Sequence, residues 1–285
     1  MDQDKYKKRL IWLASYPKSG NTWFRILLAN VLSEKRSKVN INSIIQGSSF
    51  TSSRSLIDRV IGFDSSILTN DEMEDLKPRV FNYLSLQSTI LIYFKTHEAY
   101  THNKEGKALF PPESTFKTVY IIRNPLDMVA SIGNHYNISY DKAIDYMNDD
   151  NLIFLNDSDK YYQQTAQKIL SWRKNVESWT NTKDLDVHII KYEDLHSQPV
   201  ITFAKALDYL NIEYTQEIIE EAIEKSDFRR LKKQELDYGF KEKPSNCIKF
   251  FRKGMVDGYR EELTSSQIER VLYENGPVMK KFGYC

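Results

Sequence analysis

The amino-acid sequence predicts an α/β fold, with a central and mostly parallel sheet flanked by helices in three layers. Short β-branched apolar runs at 10–14, 89–94, 118–122 and 187–190 lack polar alternation, as strands do when both their faces are covered. After the first run, 21–32 places Trp23, Ile26, Leu27 and Val31 on one helical stripe, and after the third, 126–136 repeats the helical period. Strand followed by helix, repeated, is the pattern of a parallel sheet whose crossovers are helices. In such sheets ligands bind beyond the carboxyl ends of the strands, so chemistry is expected just after each apolar run.

The chain of 285 residues reads as one domain over 1–285. Irregular insertions are expected near 33–86, 137–159 and 236–250, where they would shape the ligand site. Within the first of them, Thr69-Asn70-Asp71-Glu72 has the form of a helix start. With 40 Lys+Arg against 39 Asp+Glu the net charge is +1, which removes the general electrostatic case for a nucleic-acid or anionic-membrane partner. The two cysteines, Cys247 and Cys285, can build neither a disulfide framework nor a four-ligand zinc site, and a reducing, cytoplasmic setting is expected. No window reaches eighteen apolar residues, so no membrane anchor is expected. No metal site is expected either, because no Cys/His cluster or pair of carboxylates at ligand spacing is present.

Four short segments carry the chemistry. In Tyr16-Pro17-Lys18-Ser19-Gly20-Asn21-Thr22-Trp23 a strand gives way to a turn and then a helix, so amides at the helix start and the Lys18 ammonium converge as an anion cradle. An ordinary βα turn with a surface lysine has the same outline. The order Lys-Ser-Gly is not that of a Walker A loop. Next, Lys95-Thr96-His97 follows the second strand, setting a cation and a candidate general base past its end. Arg123 follows the third strand and offers a planar fork for a phosphate, with the Ser131 hydroxyl on the helix after it. Last, Arg252-Lys253-Gly254 puts two cations on a loop whose glycine lets backbone approach a ligand.

Together, in this order and over nearly the whole chain, these segments resemble the sulfotransferase family. The resemblance implies a P-loop-like fold and transfer of a sulfuryl group from 3′-phosphoadenosine 5′-phosphosulfate (PAPS) to a hydroxyl or amine, leaving 3′-phosphoadenosine 5′-phosphate (PAP). By that resemblance Lys18, Ser19, Gly20, Asn21 and Thr22 hold the 5′-phosphosulfate, and Trp23 lies near adenine. Arg123, Ser131, Arg252, Lys253 and Gly254 bind the 3′-phosphate, and Tyr192, Ser226 and Phe228 line the nucleotide. His97 is the general base, Lys18 stabilises the leaving phosphate, and Lys95 assists. The acceptor implied is a small molecule, a sugar or a peptide, and the bacterial branch acting on glycopeptides and other natural products is the subgroup with the nearest pattern. Residues Gly254 to Arg260 depart from the family loop by exchanging Asp257 and Gly258 and by carrying Tyr259 where tryptophan is usual. Arg260, Thr264 and Glu269 echo a family dimer motif, but Ser265 stands where valine is typical, leaving monomer and homodimer both open. The alternatives are a P-loop small-molecule kinase and a non-catalytic nucleotide-binding protein of the same fold.

Overall fold

The computed structural model describes residues 7–33, 39–42, 44, 49–157 and 160–285. The elements run β1 (Leu10–Ser15), α1 (Asn21–Leu32), β2 (Ser49–Phe50), α2 (Arg54–Ile61), a 3-10 turn (Ser65–Ile67), α3 (Asn70–Gln87), β3 (Ile92–Thr96) and β4 (Thr115–Ile122). They continue with α4 (Pro125–Tyr136), α5 (Tyr140–Asn148), β5 (Ile153–Phe154), β6 (Gln167–Lys168), α6 (Trp172–Thr180), β7 (Val187–Lys191), α7 (Tyr192–Ser197) and α8 (Pro199–Tyr209). The last are α9 (Gln216–Lys225), α10 (Phe228–Tyr238), α11 (Tyr259–Glu262) and α12 (Ser265–Lys281). The class is α/β with a mostly parallel sheet, as the apolar runs predict. Two compact units interleave in sequence: Met1–Tyr16, Gly47–Tyr120 and Asp150–Ile189 form the first, and Pro17–Gln46, Ile121–Asp149 and Ile190–Cys285 the second.

In the first unit the sheet has the order β2-β3-β1-β4-β7. β1 is buried at every position, which is why its residues need no polar alternation. It pairs in parallel with β3, Leu10 opposite Ile92 and Ala14 opposite Thr96, and β2 pairs in parallel with the other side of β3. Trp12 of β1 anchors the core. Its ring meets Phe81, Phe94 and Phe110 at 5.1–5.4 Å, and its Nε1 donates to Thr115 Oγ1 at 2.8 Å.

Several expected boundaries shift. β3 covers 92–96 and not 89–94, because Lys95 and Thr96, polar in sequence, take their places in the ladder opposite Leu13 and Ala14. Within 33–86, expected to be irregular apart from a helix start at Thr69, α2 forms and α3 begins at the expected start. The Thr69 side chain and Glu72 make a reciprocal capping box, and Met73 and Val80 of α3 pack with Ile57 of α2. The stretch 137–159 contains α5, whose narrow stripe of Ala143, Ile144 and Met147 is buried behind an otherwise polar sequence. In 236–250, residues Leu236 to Tyr238 close α10 and the remainder is turns and bends. Residues 34–38, 43, 45–48 and 158–159 of the expected insertions, and 1–6, lie outside the described residues.

In the second unit α1 packs on α9, α8 bridges α7 and α9, and α4 and α5 pack together and against α12. Ile26, Ile41, Leu231, Phe240 and Phe251 form a buried cluster beneath the late loop, with Trp23, Phe228 and Phe250 against it.

A buried ion pair adjoins the end of β3. Lys77 of α3 and Glu98 are 2.7 Å apart, at 1% and 3% side-chain exposure, and Thr51 donates to the other Glu98 oxygen at 3.0 Å. Removing one partner leaves the other charge buried, so Lys77→Met lowers unfolding free energy by about 3–5 kcal/mol in urea denaturation. The double change Lys77→Met with Glu98→Leu recovers most of that loss. A single variant as stable as the parent contradicts the pairing.

Candidate active site

The turn after β1 opens the second unit. Lys18 (φ 70°) and Gly20 (φ 97°) are both in the left-handed region, which bends the chain sharply into α1. Gly20 is the N-cap of α1 and supplies no side-chain acceptor, in contrast to the side-chain caps of α2 to α6. A helix start left without such a cap presents amides and the positive end of the helix dipole. Glycine is required twice over at this position, because a Cβ would lie 2.5 Å from Tyr192 Cδ2. Ser19 turns its hydroxyl inward, toward Met128 Sδ at 3.7 Å. Asn21 Oδ1 accepts from Arg25, which Glu242 pairs in turn at 2.6 Å. The Lys18 ammonium rests 3.4 Å from His135 Nδ1 and 4.0 Å above the Phe250 ring.

Arg123 follows β4 directly. Its guanidinium donates to the Lys18 carbonyl at 3.2 Å and to the Met255 carbonyl at 3.0 Å, and it lies 4.3 Å over the Tyr192 ring. One side chain thereby holds the turn at 17–20 and the late loop together. Its Nε is buried and has no hydrogen-bond partner among the described residues. Beside it, Glu193 accepts from the Asn124 amide and from the Tyr284 hydroxyl. Burial raises the Glu193 carboxyl above its ordinary value despite these donors. Tyr192 also meets Trp23, at 5.7 Å, and Trp23 Nε1 donates to the Ser226 carbonyl at 3.0 Å.

The late loop completes this group. Gly254 (φ 64°) lies against the Phe228 ring, where a Cβ would come within 2.5 Å. The exchange of Asp257 and Gly258 puts aspartate at a left-handed position, φ 61°, a conformation that Asp tolerates better than most residues. The loop is then fixed by Asp127 of α4, whose carboxylate accepts from the Asp257 amide at 2.8 Å and the Tyr259 amide at 3.0 Å. Asp127, Ser131 and His135, spaced four residues apart, share one face of α4. Arg252 makes a two-pronged pair with Glu262 at 2.9 and 3.0 Å, and Lys253 and the Tyr140 hydroxyl reach the same carboxylate. Burial would raise the Glu262 carboxyl, but the three donors outweigh it and hold the group below the ordinary glutamate value.

His97 is in the first unit, one residue beyond β3. Its Nδ1 is 2.8 Å from the Ser15 carbonyl and 3.2 Å from the Ser15 hydroxyl. A carbonyl has no proton to give, so Nδ1 carries the hydrogen and the neutral ring keeps its lone pair on Nε2. The His97 carbonyl accepts from Asn175, which is fully buried and accepts from Tyr120 in turn. The Lys95 ammonium is 4.7 Å from the Phe50 ring centroid.

Against this geometry the family model described as "Sulfotransferase domain" matches residues 8–283. The chain belongs to the sulfotransferase family. Among its relatives, flavonol 3-sulfotransferase of Flaveria bidentis is 23% identical over 92% of this chain and 78% of the relative, and cytosolic sulfotransferase 15 of Arabidopsis thaliana is 26% identical over 91% and 68%. The fold is also that of solved structures. Retinol dehydratase in a complex with retinol and PAP aligns at TM-score 0.64 and 16% identity over 96% of this chain and 82% of that one. A mouse sulfotransferase complexed with PAP aligns at 0.56 and 18% over 94% and 84%. No helix among the described residues of this sulfotransferase is long and apolar enough to cross a membrane, and no metal-holding group of His, Cys, Asp and Glu occurs among them.

Of the residues singled out in sequence, Lys18, Gly20, Trp23, Arg123, Tyr192, Ser226, Phe228, Arg252, Lys253 and Gly254 all belong to the second unit, and Lys95 and His97 to the first. Sequence reasoning missed His135, Asp127, Tyr140 and Glu262 as members of the second-unit group. The i, i+4, i+8 spacing of Asp127, Ser131 and His135 is the one signal that could have found two of them.

Gly20→Ala combines a left-handed φ with a clash on Tyr192, and lowers stability by about 2–4 kcal/mol in thermal or urea unfolding. A neutral outcome contradicts the packing described. Because the Glu262 carboxyl is held low, its contribution to stability is present above the ordinary value of 4.5 and is lost as pH falls through its folded value. The stability gap between wild type and Glu262→Gln therefore narrows below about pH 4.5. A gap independent of pH counts against the pairing.

Proposed function

We propose that this sulfotransferase moves a sulfuryl group from PAPS to the hydroxyl of a small-molecule acceptor. His97 is the base, and Lys18 stabilises the charge on the departing phosphate. The observation that carries the reading is the Nδ1 bond from His97 to the Ser15 carbonyl. It favours the tautomer that a general base needs, with the hydrogen on Nδ1 and the lone pair on Nε2, and a positioned base contributes on the order of 10²–10⁴ in rate.

The second-unit residues suit the donor nucleotide. A buried Arg123 Nε lacking a partner among the described residues is a donor awaiting an anion, and Gly20 and Gly254 leave backbone where any side chain would intrude. Arg123, Ser131, Arg252, Lys253 and Gly254 would hold the 3′-phosphate, and Lys18 with the amides of Ser19 to Thr22 the 5′-phosphosulfate. Trp23 and Phe228 offer flat faces for adenine, with Tyr192 and Ser226 beside them. Bound there, PAPS supplies an activated sulfuryl group whose transfer leaves charge on the 5′-phosphate. Lys18 and the uncapped start of α1 are aimed at such charge, and preorganised donors of this kind carry most of the catalysis in related group transfers. Lys95 adds a second cation. Flavonol and retinol, in the names of the relatives, support a hydroxyl-bearing small molecule as acceptor.

Cofactor choice separates this reading from a kinase. PAP raises the unfolding temperature and ATP with magnesium does not; the reverse result overturns it. His97→Ala retains PAP binding and loses at least about a hundredfold in turnover of PAPS over a panel of phenols and alcohols. Turnover near that of wild type removes His97 from the mechanism.

A further inference from the structure

Glu262 has no place in the mechanism above, yet it engages both cations of the late loop. Its carboxylate takes two bonds from the Arg252 fork and one each from the Lys253 ammonium, at 2.7 Å, and the Tyr140 hydroxyl, at 3.0 Å. At 10% side-chain exposure it is itself largely withdrawn from water. Four donor hydrogens converging on one small anion is the environment of a phosphate group as much as of a carboxylate. A fork that grips two oxygens of Glu262 end-on has fewer hydrogens left for another anion.

We infer that Glu262 is a built-in counter-anion for Arg252 and Lys253 that competes with the donor's 3′-phosphate for them, and so sets how tightly nucleotide is bound and how readily it leaves. The inference rests on the reading that Arg252 and Lys253 receive that phosphate. Two consequences follow from charge. A phosphate monoester carries about −1.5 to −2 at pH 7 against −1 for the carboxylate, so it wins the exchange while paying for displacing or crowding Glu262. The same penalty favours release of PAP after transfer, and product release limits turnover in many enzymes. Tyr140, at the first position of α5, gives the displaced carboxylate a neutral donor to keep, so it need not end up buried without a partner.

Isothermal titration calorimetry of the full chain with PAP and with 5′-AMP, which lacks the 3′-phosphate, tests the inference. Glu262→Gln binds PAP about tenfold more tightly than wild type at low salt, binds 5′-AMP equally, and loses part of its advantage as ionic strength rises. Glu262→Ala, which removes the carboxylate without adding an amide, shows the same preference, and circular dichroism verifies that each variant is folded. Unchanged or weaker PAP binding by both folded variants overturns the inference and leaves the nucleotide reading intact, since a purely structural Glu262 would loosen the loop when removed. Equal tightening for PAP and 5′-AMP overturns it too, because the effect would not then be at the 3′-phosphate. If wild type and variants alike fail to bind PAP, the nucleotide reading falls and the inference with it.

Discussion

The arrangement of the second unit depends on one guanidinium. Arg123 spans two backbone carbonyls, at Lys18 and Met255, that belong to loops about 240 residues apart in the chain, and it does so while stacked on Tyr192. A planar fork can bind two oxygens in different directions and still present a flat face to an aromatic ring, which an ammonium cannot do. The remaining contacts are arranged around it: Gly20 exists to admit Tyr192, Gly254 to admit Phe228, and Asp127 to pin the amides that follow Met255.

Charge is organised locally and cancels globally. A net charge of +1 conceals Lys18, Arg123, Arg252 and Lys253 in one unit, each with a resting partner. Those partners differ in kind. Lys18 meets an imidazole and a ring face, Arg123 meets carbonyls, and Arg252 and Lys253 pair with a carboxylate. Neutral partners satisfy a cation without cancelling its field, whereas a carboxylate partner largely does. In the first unit the same economy appears at His97, whose ring is oriented by a backbone carbonyl and whose own carbonyl is held by Asn175. Both bonds orient the ring.

Much of this was legible in the sequence, for identifiable reasons. The segment that became α1 was expected at 21–32 and forms over those residues, because its apolar stripe is dense and a glycine punctuates its start. The capping box at Thr69 and Glu72 is a local signal of the same sort. By contrast α5 is not legible as part of the core, since its burial at Ala143, Ile144 and Met147 comes from packing against α4 and α12, which is a tertiary fact. The end of β3 was misjudged because Lys95 is polar, and pairing on both sides outweighs that polarity. For the site, residues next to strand ends and glycines were legible because motif and position coincide. Glu262, Tyr140 and His135 were not, because their roles come from distant partners, and a lone acid or aromatic in sequence has no distinguishing period or neighbour.

The proposed grip of the second unit on a 3′-phosphate turns on Arg123. Calorimetric affinities of Arg123→Lys for PAP and 5′-AMP test it most directly, since lysine keeps the charge and loses the fork and the orphaned Nε. The expected result is that PAP binding weakens by at least about thirtyfold while 5′-AMP binding changes much less. A lysine variant that binds PAP as tightly as wild type, or that loses both nucleotides equally while folded, would contradict it.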